Sequence, residues 1–369
     1  MKQHLYPNLI LDILKNVRYP ATGEDIVTAG MVEDDIRIDG RKVSFSIIFP
    51  KVNDPFAKSV IRSAESTLEV ALEQDIEIRG NISAKYPEHV VQKDLPKLPK
   101  VKNVIAVSSG KGGVGKSTIT SNLAIALKKL GYKVGLLDAD IFGPSMPKMF
   151  GCEQARPVVI EVDGKELIDP IEQYGVKMLS MGFFVDPANA IVWRGAMASN
   201  ALNQLITQGN WGELDFLLID MPPGTSDIHL TLVQQIGITA AIVVTTPQEV
   251  ALADARKGIN MFRDPAVNVP ILGIIENMSW FTPQELPNNK YYIFGKGGGR
   301  KLADEMEVPL LIQLPLVQSV QEAADGGVPI ASAENHILAI MFRQLAENVV
   351  LETQKRNEEK PPTQPVQVH

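Results

Sequence analysis

The chain has 369 residues, a length that predicts two domains at the usual ~150 residues per domain. Hydrophobic residues make up 45% and charged residues 21%, which excludes a wholly disordered chain and a small disulfide scaffold. The single cysteine, Cys152, cannot form a cysteine-rich metal site alone. A net charge of −7 argues against nucleic acid as a partner.

Residues 1–92 are predicted to form a small α+β domain. Apolar residues recur at helical spacing in 9–14 and 55–74, whereas residues 36–49 alternate between apolar and polar as strands do. Residues 76–82 are predicted to form a last short strand. The N-terminus lacks the apolar core of a signal peptide, and no run of 18 apolar residues occurs. We therefore expect a cytoplasmic protein with no membrane partner.

Residues 93–103 contain prolines and lysines without apolar periodicity, which predicts an exposed linker or, alternatively, an ordered connection on a domain surface. Residues 104–350 alternate continuous apolar strands with helical segments. This pattern predicts an α/β fold, a doubly wound and mostly parallel sheet that binds ligands at the carboxyl ends of its strands. Residues 351–369 are polar and rich in proline, and they are predicted to be a disordered tail.

The segment GKGGVGKST, residues 110–118, matches the P-loop pattern G-x-x-x-x-G-K-[ST] between a predicted strand and a predicted helix. Its glycines let backbone N–H groups converge on phosphate oxygens, and the helix N-terminus adds positive charge. Lys116 is expected to reach the terminal phosphates, Ser117 to bind Mg²⁺, and Thr118 to touch the α-phosphate. The predicted nucleotide-binding residues here are Gly110, Lys111, Gly112, Gly113, Val114, Gly115, Lys116, Ser117 and Thr118.

Lys111 is a second lysine within this loop. One interpretation is a solvated charge. The other is a catalytic cation that neutralises charge on the transferring phosphoryl group, across a dimer interface.

The loop resembles the deviant Walker A loop of the MinD/ParA-type ATPases. Five further blocks look like the Mrp/ApbC family of ATP-dependent iron–sulfur cluster carriers: DADIFGPSMPKMFG (138–151), IVWRGAM (191–197), LDFLLIDMPPGTSD (214–227), TTPQEVALADARKGI (245–259) and GIIENMSWF (273–281). Residues 1–92 resemble, more weakly, the MIP18-like module that often precedes the domain of this family.

Other candidate site residues follow predicted strands. Asp220 ends an apolar strand, where a Walker B carboxylate binds Mg²⁺, and Gly224 is a candidate N–H donor to the γ-phosphate. The resemblance implies that Asp140 orients the attacking water, with Asp138 supporting Mg²⁺ or the loop; both are alternatively turn formers. Asn277 resembles the adenine-recognising residue of this class, or is a turn former.

The sequence departs from the family at the expected cluster site. Relatives carry a C-x-x-C pair shortly after the NMS segment, and two such pairs would hold a bridging [4Fe–4S] cluster. Residues 277–299 contain no cysteine, so no iron–sulfur ligand is identified.

These observations lead to three competing hypotheses. The first is a slow ATPase, a homodimer that uses ATP and Mg²⁺ and acts with iron–sulfur assembly or acceptor proteins. The second is a MinD/ParA-like dimerisation switch that recruits a protein partner without a cluster. The third is a nucleotide sensor that does not hydrolyse ATP.

Overall fold

A computed structural model describes residues 5–49, 54, 56–72, 76–85, 98, 100–141, 143–184, 195–225, 229, 232–233, 236–265, 267–283, 285–286 and 288–360. The chain divides into two compact units, residues 1–94 and 95–369. Most of the predicted linker, at 93–97 and 99, lies outside the described residues.

The first unit packs two helices on a three-stranded sheet. Alternating burial along the second strand directs Val43, Phe45 and Ile47 into a core made only of residues from this unit. The elements are α1 (Pro7–Leu14), β1 (Arg37–Asp39), β2 (Lys42–Ile48), α2 (Ala57–Ala71) and β3 (Ile82–Lys85), in the sheet order β1-β2-β3.

The third strand lies later in the chain than the sequence predicts. β3 runs parallel to β2 from Ile82 onward, so only the last residue of the segment predicted at 76–82 belongs to this strand. Glu77 forms an isolated parallel bridge with Lys42, and its neighbours Ile76 and Ile78 are buried in the core. A turn at Gly80 separates this bridge from β3, so the predicted strand is interrupted rather than continuous.

The second unit is built on an eight-stranded sheet in the order β13-β12-β11-β4-β10-β5-β9-β8. Every neighbouring pair is parallel except β8 with β9. The strands are β4 (Val101–Ser109), β5 (Val134–Asp138), β8 (Ile171–Gln173), β9 (Val176–Ser180), β10 (Leu214–Asp220), β11 (Ala240–Thr245), β12 (Ile271–Glu276) and β13 (Leu310–Gln313), with β6 (Val158–Val162) and β7 (Lys165–Asp169) as a separate hairpin.

Helices cover both faces of this sheet, which confirms the predicted doubly wound α/β fold. One face packs on Leu123 and Phe342, and the other packs on Leu205 and Phe262. Burial on both sides explains why the central strands are apolar at nearly every position. The helices are α3 (Lys116–Lys129), α4 (Met146–Met149), α5 (Gly195–Thr207), α6 (Glu249–Arg263), α7 (Gly298–Glu305), α8 (Gln318–Asp325) and α9 (Ile337–Glu359).

The last helix corrects the prediction of a disordered tail over residues 351–369. α9 continues through this segment to Glu359 and buries Val349 and Thr353. Residues 351–359 contain helix-forming side chains and no proline, and the helix ends just before Pro361. Residues 361–369 lie outside the described part of the chain. Among the described residues, no helix has the length and apolarity needed to cross a bilayer.

Candidate nucleotide-binding site

The candidate site lies where three neighbouring strands end. β10 is inserted between β4 and β5, and Asp220 at its end is in register with Val107 on one side and Asp138 on the other. Parallel strands present their carboxyl ends at the same edge of the sheet, so segments remote in sequence meet there. The P-loop leaves β4 at this edge and leads directly into α3.

The backbone of the P-loop requires glycine at its last turn. Gly115 has φ +86, and a Cβ there would lie 2.3 Å from Asn277 Nδ2. The Asn277 amide donates to the carbonyl of Val114 at 2.9 Å. In this structure Asn277 therefore holds the backbone of the P-loop in place through its hydrogen bond to Val114.

The buried carboxylate of Asp220 gathers donors from the first turn of α3. Lys116 Nζ lies 2.7 Å from Oδ2, and Ser117 Oγ donates to the same oxygen at 2.6 Å. Thr120 Oγ1 donates to Oδ1 at 2.8 Å and is itself buried. A hydroxyl and a carboxylate side by side form the kind of oxygen donor set that Mg²⁺ accepts. Ser117 and Asp220 therefore fit the predicted metal site.

Asp138 is buried and organises the loop that follows β5. It accepts hydrogen bonds from Ser180 Oγ at 2.8 Å, from Met146 N at 3.2 Å and from Asp140 N at 3.2 Å. Burial raises the pKa of Asp138 to about 7, and the negative charge of Asp220 adds to the rise. The family resemblance implies that Asp138 supports either Mg²⁺ or the loop after β5. Its contacts agree with support of the loop, because the carboxylate accepts hydrogen bonds from protein groups.

A cavity of about 220 Å³ opens above these residues. Of the residues predicted from sequence, it is lined by Gly112, Gly113, Gly115, Lys116, Ser117, Thr118 and Asp140. Its remaining lining residues are Ser109, Ser145, Met149 and Pro223, of which Pro223 belongs to the LDFLLIDMPPGTSD block. Ser145 and Met149 belong to the DADIFGPSMPKMFG block, a signal that pointed to the segment without assigning them a role.

Some predicted residues are placed differently. The Gly224 amide donates to the carbonyl of Ser109 at 2.9 Å, so its predicted donation to a phosphate requires this bond to open. Lys111 is half-buried and, within the described residues, makes no ion pair. Gly110 is not among the residues that line the cavity. It packs against α6, where a Cβ would lie 2.2 Å from the backbone of Asp254.

The chain offers poor ligands for an iron–sulfur cluster. Burial raises the pKa of the Cys152 thiol to about 11, which disfavours the thiolate that binds iron. No cluster of three or more His, Cys, Asp or Glu side chains with metal-site geometry occurs among the residues that the structure describes. Within the described part of the chain, neither Cys152 nor the arrangement of acidic and histidine side chains provides a set of iron ligands.

Taken with its connectivity, the site defines the class of protein. A P-loop after a central parallel strand, with a buried carboxylate on the adjacent strand, is the arrangement of a P-loop NTPase. A solved nucleotide-binding protein from Archaeoglobus fulgidus, in complex with ADP, is similar with a TM-score of 0.54 and 36% identity, over 63% of this chain and 88% of that one. The septum site-determining protein MinD of Pyrococcus horikoshii shares the fold with a TM-score of 0.50 and 24% identity, over 69% of this chain and 98% of that one.

Family comparisons name the group within this class. A family model described as NUBPL iron-transfer P-loop NTPase matches residues 100–350, and one described as iron-sulfur cluster assembly protein matches residues 8–79. The chain is 41% identical to the iron-sulfur cluster carrier protein of Synechocystis sp., over 94% of this chain and 98% of that relative. The chain belongs to this family of iron-transfer P-loop NTPases, and the resemblance to the Mrp/ApbC carriers is confirmed.

Proposed function

We propose that this protein binds ATP with Mg²⁺ at the P-loop cavity and hydrolyses it in the service of iron–sulfur cluster carriage or assembly. The observation that carries the proposal is the close contact of Lys116, Ser117 and Asp220 at the foot of the cavity. Family membership and the carrier name of the Synechocystis relative support the iron–sulfur part.

Each residue has a chemical task in this proposal. The P-loop amides and the Lys116 ammonium bind the β- and γ-phosphates, and Asp140 orients the attacking water. Ser117 and Asp220 hold Mg²⁺, which supplies neutralisation of phosphate charge when bound. No strong dedicated base lines the described part of the cavity, so we expect slow turnover dominated by positioning.

The first test asks whether nucleotide binding needs Lys116 in particular or only the positive charge of a lysine. Titration calorimetry with MgATP is expected to give binding for the natural chain and none for Lys116→Ala. The matched control is Lys133→Ala, since Lys133 pairs with Glu213 on the surface at 3.0 Å. Phosphate release should follow the same order, and tight ATP binding without phosphate release would favour the sensor hypothesis.

We propose a homodimer in which Lys111 acts as the second catalytic lysine. It is half-buried beside Gly112 and Gly113, which line the cavity. Lys111→Ala should retain ATP binding and lose most phosphate release. Light scattering should show a dimer with ATP, and a monomer under all nucleotide conditions would contradict the proposal.

The cluster is cargo, and we propose that its thiolate ligands come mainly from another protein. Two copies of this chain supply two cysteines, half of a Cys₄ set. Anaerobic reconstitution of the protein alone should leave iron and sulfide near zero, whereas a co-purified assembly or acceptor partner should carry them. A stable cluster on the isolated chain would contradict the proposal that another protein supplies most of the thiolate ligands. ATP-dependent dimerisation with no iron–sulfur partner would favour the switch hypothesis instead.

A further inference from the structure

The hydroxyl of Ser145 stands out among the residues that line the cavity. Its Oγ is buried and has no hydrogen-bond partner among the described residues. Buried hydroxyls are nearly always hydrogen-bonded, and one without a partner destabilises the fold. Ser145 forms part of the cavity wall, so a rotation of its side chain would bring the hydroxyl to a ligand there, which would supply the missing partner.

The usual structural explanation for a serine at this position does not hold. Ser145 immediately precedes α4, but its side chain makes no capping bond, and its backbone is in the αR region at φ −117 and ψ −15. Capping serines normally have extended backbones and accept from the second or third helical amide. The second helical residue here is Pro147, which has no N–H.

Hydrogen bonds of the neighbouring backbone to Asp138 fix the position of Ser145. The next residue, Met146, donates its amide to the buried carboxylate of Asp138, which also accepts the amide of Asp140. The loop that carries Asp140 and Ser145 is thus anchored to one carboxylate by the amides of Asp140 and Met146. The P-loop contributes Gly113 and Lys116 to the wall of the same cavity.

We propose that Ser145 is a nucleotide-binding residue whose hydroxyl donates to an oxygen at the terminal-phosphate end of the cavity. That oxygen belongs either to the γ-phosphate or to the water that attacks it. The inference rests on the proposed function, because the P-loop that faces Ser145 binds phosphates. It adds a protein contact that the sequence motifs did not assign.

The test compares variants that differ by one hydroxyl. Ser145→Ala removes the group, and Ser145→Thr and Ser145→Val form a matched pair of equal shape with and without it. A non-hydrolysable ATP analogue and ADP are titrated into each variant with Mg²⁺, and single-turnover hydrolysis is measured. A bond to the γ-phosphate predicts about tenfold weaker analogue binding for the Ala and Val variants, with ADP affinity unchanged. A bond to water predicts about tenfold slower hydrolysis with both affinities unchanged.

Two outcomes would overturn the proposal. If both affinities and the hydrolysis rate stay within twofold of those of the natural chain, Ser145 does not make the proposed hydrogen bond. Equal losses of analogue and ADP binding, in Thr and Val alike, would assign Ser145 a purely structural role. If the natural chain itself binds no ATP, the proposed function fails first and this inference fails with it.

Discussion

At the scale of single residues, the site is organised around two buried carboxylates with different surroundings. Asp220 faces an ammonium group and two hydroxyls from one helical turn. Asp138 is fully buried beside the negative charge of Asp220, and both effects raise its pKa to about 7 although Ser180 and Met146 donate hydrogen bonds to it. Asp220 thus contacts the P-loop helix through Lys116, Ser117 and Thr120, whereas Asp138 accepts the amides of the loop that follows β5.

Thr120 is expected to stabilise the protein through its hydrogen bond to Asp220. Thr120→Val keeps the shape but removes a buried donor to a charged group, which costs about 2 kcal/mol of unfolding free energy. Urea unfolding at neutral pH measures the loss, and Thr120→Ser, which keeps the hydroxyl, should lose less than half as much. A Val variant as stable as the natural chain would show that the bond contributes nothing.

Cys152 is expected to be an unreactive thiol with a clear pH dependence. With its pKa raised to about 11 by burial, the folded protein holds the thiolate form only above about pH 10. At pH 8, alkylation of the folded chain should be roughly 100-fold slower than in denaturant, where a free thiol has a pKa near 8.5. Mass spectrometry follows the modification. Equal rates in the folded and unfolded states would contradict the raised pKa of this partly buried thiol.

At the scale of elements, the long last helix supports the P-loop helix. α9 packs along α3, with Phe342, Leu345 and Val349 in the same hydrophobic core as Leu123. Near its end, Asn357 Nδ2 donates to Asn103 Oδ1 at 2.9 Å, which ties the helix to the start of β4. The segment beyond residue 350 therefore belongs to the folded unit.

A truncation series tests this role of the helix end. Ending the chain after Val350 removes buried Thr353 and the Asn357 contact, and it should lower the unfolding free energy by about 2 kcal/mol. Ending it after Lys360 removes only the polar, proline-rich residues and should change stability by less than 0.5 kcal/mol, roughly the effect of a neutral surface change. Thermal unfolding of both truncated chains measures the two changes in stability. Equal stability would mean that residues 351–359 do not contribute to the core.

At the scale of the whole molecule, the two units have separate cores. Among the described residues, the buried apolar side chains of the first unit, from Leu5 to Ile82, form one cluster, and its members all come from this unit. The second unit holds its own clusters on the two faces of its sheet and beside α7. Each unit thus satisfies the usual requirement for independent folding.

We expect residues 1–94 to fold when produced alone. Circular dichroism should show mixed helix and strand with a cooperative urea transition worth a few kcal/mol, which is typical of a domain of this size. Ile47 is fully buried in its core, so the Ile47→Asp fragment is the control and should be unfolded. A natural fragment with the same featureless spectrum as this control would contradict independent folding.

The amino-acid sequence by itself determined the elements whose signals are local. The P-loop motif located residues 110–118, and continuous apolar runs located β4, β5, β10, β11, β12 and β13 to within a few residues. These signals can be recognised in a single sequence because each depends only on the backbone geometry and burial of one element.

Only the tertiary structure decided which groups meet. Ser117 donates to a carboxylate 103 residues away because β10 is inserted between β4 and β5 in the sheet. The same strand order buries Asp138, commits the Gly224 amide to Ser109 and leaves the Ser145 hydroxyl in the cavity wall. Such pairings depend on strand order and on packing between distant segments, and neither is written in the spacing of residues along one chain.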